Sequence, residues 1–208
     1  EIREYERTST TAINAYVGPP VKSYVESLIN RLKKAVFNSN LIMMQSSGGM
    51  LDAATVIKNP VQIVESGPAA GVIGSVHVGA LTNLNNLITL DMGGTTAKAS
   101  LIEKGKFLTT DEYEVGGGIN LSSKLIKGGG YALKTPVIDI SEVGAGGGSI
   151  VWIDKVDQLK VGPKSAGAIP GPVCYKNGGS EPTLTDANVV LGYLNPISIA
   201  GGTVSINY

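Results

Sequence analysis

The residues best suited to chemistry lie in one short segment, DMGGTT at positions 91–96. Gly93 and Gly94 let the backbone approach a ligand closely, and successive N–H groups in such a turn form a concavity that binds anions. Thr95 and Thr96 add two hydroxyl donors, and Asp91 is the kind of group that holds a magnesium-bound water beside a phosphate. The segment predicts a phosphate-binding loop. The alternative is a plain hairpin whose turn needs glycine, and the lysine-containing P-loop pattern is not present.

A second candidate is the turn Glu65-Ser66-Gly67-Pro68, which leads from a predicted strand into a predicted helix. The N-terminus of a helix offers unbonded N–H groups and a partial positive charge, so a phosphate or a substrate carbonyl could dock there. Glu65 is the residue of interest in this interpretation. The alternative is that the small residues serve close packing of the helix on a sheet.

A third candidate is the glycine-rich segment VGAGGGSI at 143–150, which lies near Asp139 and Glu142. We expect free N–H groups in the triplet Gly146, Gly147 and Gly148. Together with the two carboxylates, they would suit an active-site loop that contacts substrate or metal.

The composition limits the class of protein. Lys plus Arg and Asp plus Glu number 17 each, so the formal net charge is zero and the basic footprint of a nucleic-acid binder is missing. Glycine accounts for 28 of the 208 residues, about twice its usual share but without the three-residue period of collagen. The apolar content of 42% is too high for a disordered tail, and no apolar stretch is long enough to span a membrane. We therefore expect a globular α/β chain with a sizeable core.

The lone cysteine and the lone histidine limit the remaining chemistry. A single Cys174 rules out an internal disulfide, which favours the cytoplasm. A nucleophilic cysteine would need a histidine base nearby, and only His77 could serve. One histidine makes no metal site by itself, so we expect His77 to be structural or at the surface.

Hydrophobic periodicity predicts the elements that position these segments. Residues 1–20 are expected to be irregular and to end at Pro19-Pro20, before an amphipathic helix over 21–36. The strand at 87–90 is expected to be buried and to deliver Asp91 to its end, and residues 162–182 are expected to form a long loop. Further strands are predicted at 41–45, 61–64, 97–102, 106–109, 137–140 and 149–153, and further helices at 69–81, at 185–194 and from a cap at Asp52 to Ile57. Strands alternating with helices indicate an α/β layer fold.

Ordered blocks across nearly the whole chain carry a family resemblance. They are ERTSTTAINAYVGP (6–19), MQSSGGM (44–50), NPVQIVESGPAAGVIG (59–74), DMGGTTAKASLI (91–102), EVGAGGGSIVWID (142–154), VGPKSAGAIPGPVCY (161–175) and PTLTDANVVLGYL (182–194). Together they resemble the hydantoinase A / 5-oxoprolinase family of ATP-dependent cyclic-amide hydrolases. The segment at 91–102 also resembles the second phosphate loop of the actin-like ATPases, where such a turn lies between two antiparallel strands.

The resemblance implies a fold and a domain organisation. The fold would be α/β, an actin-like ATPase (ribonuclease H-like) mixed sheet with flanking helices and a Gly-rich loop region. Residues 1–208 would be part of one catalytic domain, with the phosphate loop in an α/β part at 1–115 and the Gly-rich loops and strands at 116–208. Family chains are several times longer. The chain is therefore expected to be a central fragment that lacks an N-terminal phosphate-loop domain and a C-terminal part, and that is inactive alone.

The resemblance also implies cofactors and roles. ATP and Mg²⁺ would be used, with Gly93, Gly94, Thr95 and Thr96 contacting phosphate oxygens. Asp91 would bind hydrated magnesium or orient the transfer. The glycine-rich segment with Glu142 and the turn at Glu65 would supply the substrate side of the site.

Two positions depart from the family pattern. Lys98 stands where many relatives have an aspartate, which reverses the local charge. It would contact phosphate or substrate, or point to solvent. Ser141 stands where several relatives have a histidine before the glycine run, which puts a transition-metal site in doubt.

The implied activity is the opening of a hydantoin or 5-oxoproline-type cyclic amide after phosphorylation of its carbonyl oxygen. Two alternatives stay open: a subunit of the acetone or acetophenone carboxylase type, and a non-enzymatic actin-like nucleotide-binding module. The expected partners are a small cyclic amide and a second hydantoinase subunit or further copies of the chain. No nucleic acid or membrane is expected.

Overall fold

The computed structural model describes residues 2–37, 39–111, 113–115, 130–197 and 206. The glycines at 116–118, 128 and 129 lie outside the described residues. The helices are α1 (Glu4–Lys34), α2 (Ala53–Lys58), α3 (Ser66–Leu81) and α4 (Leu184–Val190). The strands are β1 (Ile42–Met44), β2 (Met50–Asp52), β3 (Leu87–Met92), β4 (Ala97–Glu103), β5 (Lys106–Phe107), β6 (Thr109–Thr110), β7 (Tyr113–Val115), β8 (Tyr131–Leu133), β9 (Val137–Ile138), β10 (Ser141–Val143), β11 (Ser149–Ile153) and β12 (Leu159–Ser165).

The described chain is mixed α/β and rich in antiparallel pairs. β1 pairs with β2, β4 with β5, β6 with β9, β7 with β8 and β11 with β12, each antiparallel. β4 also lies between β3 and β10 in the largest sheet. Among the described helices none is both long enough and apolar enough to cross a bilayer.

The chain divides into two compact units. The first comprises Glu1–Thr89 and Ala99–Ser141, and the second comprises Leu90–Lys98 and Glu142–Tyr208. The first unit contains α1, α2, α3 and a core in which α3 packs on strand residues. The core residues are Ala69, Val72, Ile102, Ile138 and Ile140, with Ile73, Val76, Leu87 and Phe107 packed against them. The assignment of parts 1–115 and 116–208 to one catalytic domain stays a prediction.

The expectation that residues 1–20 are irregular is wrong, because α1 is one helix that contains Pro19 and Pro20. A proline inside a helix removes the N–H that would bond the carbonyl four residues earlier. Here those carbonyls belong to Ala15 and Tyr16, and all four residues are exposed. Water can therefore satisfy the freed carbonyls, and the helix continues.

The predicted strand at 61–64 is instead a 3₁₀ turn over Pro60–Ile63. Proline fixes its own φ near the helical value and suits the first position of a helical turn. The prediction that Asp52 caps a short helix is confirmed, because its side chain accepts the N–H of Thr55 at the start of α2.

The strand before the turn at 93–96 is longer and more exposed than predicted. β3 reaches Met92, so Asp91 lies within the strand rather than after it. Leu87 packs on the core, while Ile88 and Leu90 are 79% and 71% exposed. Successive side chains of a strand point to opposite faces of the sheet. When one face packs on the core, the alternate residues therefore face away from it.

The C-terminal predictions need two corrections. Residues 162–182 are not one loop, since β12 extends to Ser165 and a 3₁₀ turn forms at Val173–Tyr175. The last helix spans Leu184–Val190 rather than 185–194, and its cap is Thr183. Thr183 and Asp186 form a capping box, in which each side chain bonds the backbone N–H of the other.

Candidate functional site

The turn between β3 and β4 is closed by its own backbone. The N–H of Gly93 donates to the carbonyl oxygen of Thr96 at 2.9 Å. Gly93, Gly94 and Thr95 are exposed and Thr96 is half-buried. The sequence prediction of a glycine turn between two strands at this place is confirmed. Its role in phosphate binding stays a prediction.

Two backbone carbonyls of this turn accept hydrogen bonds from the glycine triplet of the second unit. The N–H of Gly147 donates to the carbonyl oxygen of Gly93 at 2.9 Å, and the N–H of Gly148 donates to that of Gly94 at 2.7 Å. Across the described residues, no hydrogen bond occupies the N–H of Gly94 or Thr95. The turn therefore has an engaged carbonyl edge and an open N–H edge.

The two threonines extend the open edge. Within the described ranges no hydrogen bond engages the hydroxyl of Thr95 or of Thr96. Two backbone donors and two hydroxyl donors are thus available over three consecutive residues. This is the type of donor set that binds an anion.

The triplet itself does not offer the free N–H groups that the sequence led us to expect. The N–H of Gly146 donates to the side-chain oxygen of Ser149 at 2.9 Å, and the other two N–H groups donate to carbonyls of the turn at 93–96. The residues pack so closely that side chains are excluded. A Cβ on Gly146 would lie 2.6 Å from the backbone N of Thr96. The triplet is a backbone platform under the loop, and its contact with substrate stays a prediction.

Charged groups flank the loop within the second unit. Lys98 Nζ lies 3.8 Å from Glu142 Oε1, and the two side chains are only 17% and 19% exposed. The lysine that reverses the charge of the family pattern is therefore balanced by a carboxylate. Asp91 is exposed, and in the described part of the chain no hydrogen bond or ion pair engages its carboxylate.

The exposed carboxylate of Asp91 alone offers few ligand atoms to a metal ion. Within the described segments no three or more His, Cys, Asp or Glu residues converge as a cluster that could hold a metal ion. Mg²⁺ does not need such a cage, because it keeps several waters and usually takes one or two carboxylates together with substrate phosphates. Asp91 beside the open N–H edge fits that mode of binding.

Glu65 belongs to the first unit, whereas the phosphate loop belongs to the second. Its side chain is buried, with 8% exposed, and its N–H donates to the hydroxyl of the fully buried Ser46 at 3.0 Å. Ser46 also donates its N–H to Gln62 and accepts the N–H of Ile138. The turn before α3 is thus firmly held, and a substrate role for Glu65 stays a prediction.

Asp139 also lies in the first unit, and one oxygen of its carboxylate is buried and has no hydrogen-bond partner among the residues that the structure describes. Its backbone carbonyl accepts the hydroxyl of Ser100 at 2.7 Å. His77 is exposed on α3. Within the second unit, the structure brings Lys98 and Glu142 together beside the turn at 93–96.

The sequence did not reveal that α4 takes part in this arrangement. The N–H and the hydroxyl of Thr185 both donate to the carbonyl oxygen of Gly147, at 2.8 and 2.9 Å. The pattern Thr183-x-x-Asp186 is a capping-box signature that would have placed Thr185 in the first turn of the helix.

Cys174 is buried beside the same helix. Burial, together with the hydrogen bond and the negative charge of the neighbouring Asp186 carboxylate, raises the pKa of its thiol to about 12. The thiolate is the nucleophilic form, so this cysteine is inert at neutral pH.

The geometry defines a mixed α/β protein with a glycine turn between two strands. A model of the hydantoinase/oxoprolinase family matches residues 7–207. The chain belongs to the hydantoinase/oxoprolinase family, as the ordered sequence blocks indicated.

Three relatives illustrate the range of the family. The chain is 50% identical to an uncharacterised protein of Methanocaldococcus jannaschii, over 99% of this chain and 30% of that protein. It is 38% identical to the caprolactamase α subunit of Pseudomonas jessenii, over 100% of this chain and 28% of the subunit. The crystal structure of that ATP-dependent caprolactamase matches with a TM-score of 0.65.

The nucleotide-free structure of an ATP-dependent acetone carboxylase matches with a TM-score of 0.77 at 29% identity, over 100% of this chain and 27% of that chain. The chain spans less than a third of the length of each of these relatives. The two solved structures are thus of ATP-dependent enzymes that act on different substrates.

Proposed function

We propose that this chain supplies a phosphate-binding part of an ATP-dependent enzyme with an actin-like ATPase fold. One observation carries the proposal: the glycine triplet engages the carbonyls of Gly93 and Gly94, while two N–H groups and two hydroxyls of the loop over 93–96 have no hydrogen bond among the described residues. Antiparallel strands on either side of such a turn are the arrangement expected of the second phosphate loop. ATP-dependent relatives that match the entire chain support the same assignment.

Each residue then has a role. The N–H groups of Gly94 and Thr95 and the hydroxyls of Thr95 and Thr96 bind phosphate oxygens. Asp91 holds hydrated Mg²⁺, which supplies positive charge to the phosphates. Lys98 is neutralised by Glu142 at 3.8 Å and stays beside the loop without adding net charge. Such groups act by positioning and by stabilising developing charge, which is most of what phosphoryl transfer requires.

The whole protein is proposed to open a cyclic amide of the hydantoin or 5-oxoproline type. Resonance makes an amide carbonyl a poor electrophile. Transfer of the γ-phosphoryl group of ATP to the carbonyl oxygen turns that oxygen into part of a leaving group. Water then adds to the carbon, and the ring C–N bond breaks to give the free amine and an acyl phosphate. A second water hydrolyses the acyl phosphate to the carboxylic acid and phosphate. Membership of the family and the caprolactamase relative support this substrate class.

The test uses the whole protein that contains this chain, with its partner subunit. We expect ATP hydrolysis that is stimulated by 5-oxoproline, by hydantoins or by a lactam. Asp91→Ala should lower kcat/KM for ATP by about 10²-fold or more, since a preorganised charge-stabilising group is removed. The matched control is Asp111→Ala, which removes another exposed carboxylate. Unchanged ATP use in Asp91→Ala would contradict the assignment of the loop.

A carboxylase subunit is the second candidate. It is favoured by the structural match to acetone carboxylase, whose TM-score of 0.77 exceeds the 0.65 of caprolactamase. The same preparation is therefore incubated with ATP, acetone or acetophenone, and labelled bicarbonate. Label that enters an acid product assigns a carboxylase, and ring opening without label uptake assigns a hydrolase. Nucleotide binding with neither reaction assigns a non-enzymatic nucleotide-binding module.

A further inference from the structure

Thr185 makes two hydrogen bonds to one carbonyl in the second unit. Its N–H and its hydroxyl both donate to the carbonyl oxygen of Gly147, at 2.8 and 2.9 Å. The residue is buried, with 7% exposed. A Cβ on Gly147 would lie 2.8 Å from the hydroxyl oxygen of Thr185. The close approach of this hydroxyl therefore depends on glycine at 147.

The carbonyl that Thr185 bonds belongs to the same peptide group as the N–H of Gly148. That N–H donates to the carbonyl oxygen of Gly94 at 2.7 Å. The Gly94 carbonyl in turn shares its peptide group with the N–H of Thr95, one of the two open N–H groups of the loop. Two peptide groups in series thus link the Thr185 hydroxyl to a proposed phosphate donor.

Such a series has a physical effect at its end. A carbonyl that accepts a hydrogen bond polarises its peptide group, and the N–H of that group becomes a better donor. The strengthening is about 10–30% per bond in condensed-phase estimates. The same bonds also fix the orientation of the peptide planes. The hydrogen bond to the Gly94 carbonyl therefore fixes the orientation of the Thr95 N–H and makes that N–H a stronger donor.

We propose that Thr185 is a positioning residue for the phosphate-binding loop and acts through the peptide groups 147–148 and 94–95. This inference rests on the proposed function only in naming phosphate as the ligand. Thr185 touches neither ATP nor substrate. Its hydroxyl holds the N–H edge of the loop in the orientation that a phosphate oxygen needs.

The first measurement is nucleotide affinity in the whole protein with its partner subunit. Thr185→Val keeps the shape of the side chain and removes the hydroxyl, whereas Thr185→Ser keeps the hydroxyl. We expect Thr185→Val to raise the Kd and the KM for ATP about 3- to 10-fold, the loss of one hydrogen bond, with kcat changed much less. Thr185→Ser should stay within about twofold of the wild type.

The matched control is Ser100→Ala. Ser100 is also buried, at 6% exposed, and its hydroxyl also donates to a backbone carbonyl, that of Asp139 at 2.7 Å. It belongs to the first unit. We expect it to lower thermal stability as Thr185→Val does, without moving the KM for ATP. Equal KM changes in both variants, or no change in Thr185→Val, would overturn the proposal.

A second measurement does not need the nucleotide. Amide hydrogen exchange over residues 91–98 should be faster in Thr185→Val than in the wild type, in Thr185→Ser or in Ser100→Ala. If the wild type binds no ATP but exchange changes in this way, the phosphate assignment fails and the positioning of the loop stands. If exchange over 91–98 is the same in all four proteins, the positioning role of Thr185 is wrong.

Discussion

At the scale of single residues, Asp186 joins two segments of the second unit. Its carboxylate accepts the N–H groups of Cys174 at 2.8 Å and Val173 at 3.3 Å, and the N–H and hydroxyl of Thr183 at 2.7 and 2.8 Å. Burial raises the pKa of Asp186, but the hydrogen bonds from Cys174 and Thr183 outweigh it and hold the pKa below its usual value.

We predict that Asp186→Asn lowers the free energy of unfolding by about 1–3 kcal/mol at pH 7, because buried donors lose a charged acceptor. A carboxyl whose pKa is lowered on folding stabilises above its unfolded pKa of about 3.9. That contribution is lost as the pH falls through the folded pKa. The difference between wild type and variant should therefore shrink as the pH falls below about 4.

Urea unfolding of the whole protein at pH 7 and at pH 3 measures this effect. Asp111→Asn, a substitution at an exposed aspartate, is the control and should differ little from the wild type at pH 7. Asp186→Asn could instead lose as much stability at pH 3 as at pH 7. That result would show that the charge of the Asp186 carboxylate does not stabilise its contacts with Cys174 and Thr183.

At the scale of elements, the glycine triplet and the glycines of α3 differ in how much space a side chain would have. A Cβ at Gly146 would meet the backbone of Thr95 and Thr96 at 2.6 Å, and backbone cannot move aside cheaply. A Cβ at Gly74, within α3, would meet nothing within 4 Å. The same chemical change should therefore have opposite results at the two positions.

We predict that Gly146→Ala displaces the phosphate loop and weakens ATP binding at least ~10-fold, since overpacking against fixed backbone costs about 1–3 kcal/mol. Gly74→Ala should leave ATP binding intact and raise stability by about 0.5–1 kcal/mol, as alanine replaces glycine inside a helix. Calorimetric titration with ATP and thermal unfolding measure both variants. Tight ATP binding by Gly146→Ala would mean that the platform does not support the loop.

The elements also show what local sequence rules capture. The turn at 91–96 and the cap at Asp52 were predicted because their determinants lie within a few residues. The bonds from Gly147 and Gly148 to the turn were not, since they join segments about 54 residues apart and nothing local encodes the pairing. The prediction that residues 1–20 are irregular failed at Pro19. A local rule, that proline ends most helices, was applied there, but solvent can satisfy the carbonyls that the proline leaves unbonded.

At the scale of the whole molecule, the chain is a small share of its relatives, from 27% to 30% in the examples given. Within the described chain, large apolar residues such as Ile88, Leu159 and Ile153 are more than half exposed. Ile153 and Leu159 are direct partners across the β11–β12 hairpin. Exposed apolar pairs of this kind are typical of surfaces that other parts of a protein cover.

We predict that the 208-residue chain alone hydrolyses ATP without stimulation by a cyclic amide, or not at all. The proposed phosphate loop would contact the phosphates from one side only, and phosphoryl transfer needs groups positioned around both the attacking and the leaving oxygen. A coupled phosphate-release assay with and without 5-oxoproline measures this. Substrate-stimulated turnover at the rate of the whole protein would show that these residues contain the entire site.

The platform beneath the phosphate loop has a consequence for the thermodynamics of binding. A mobile loop loses conformational freedom when its ligand arrives, and that loss subtracts from affinity. Here the Gly93 and Gly94 carbonyls are already bonded, so most of this entropy is lost during folding. ATP should therefore bind to a turn that is ordered beforehand, with a small entropic penalty and little change in backbone between the free and the bound protein.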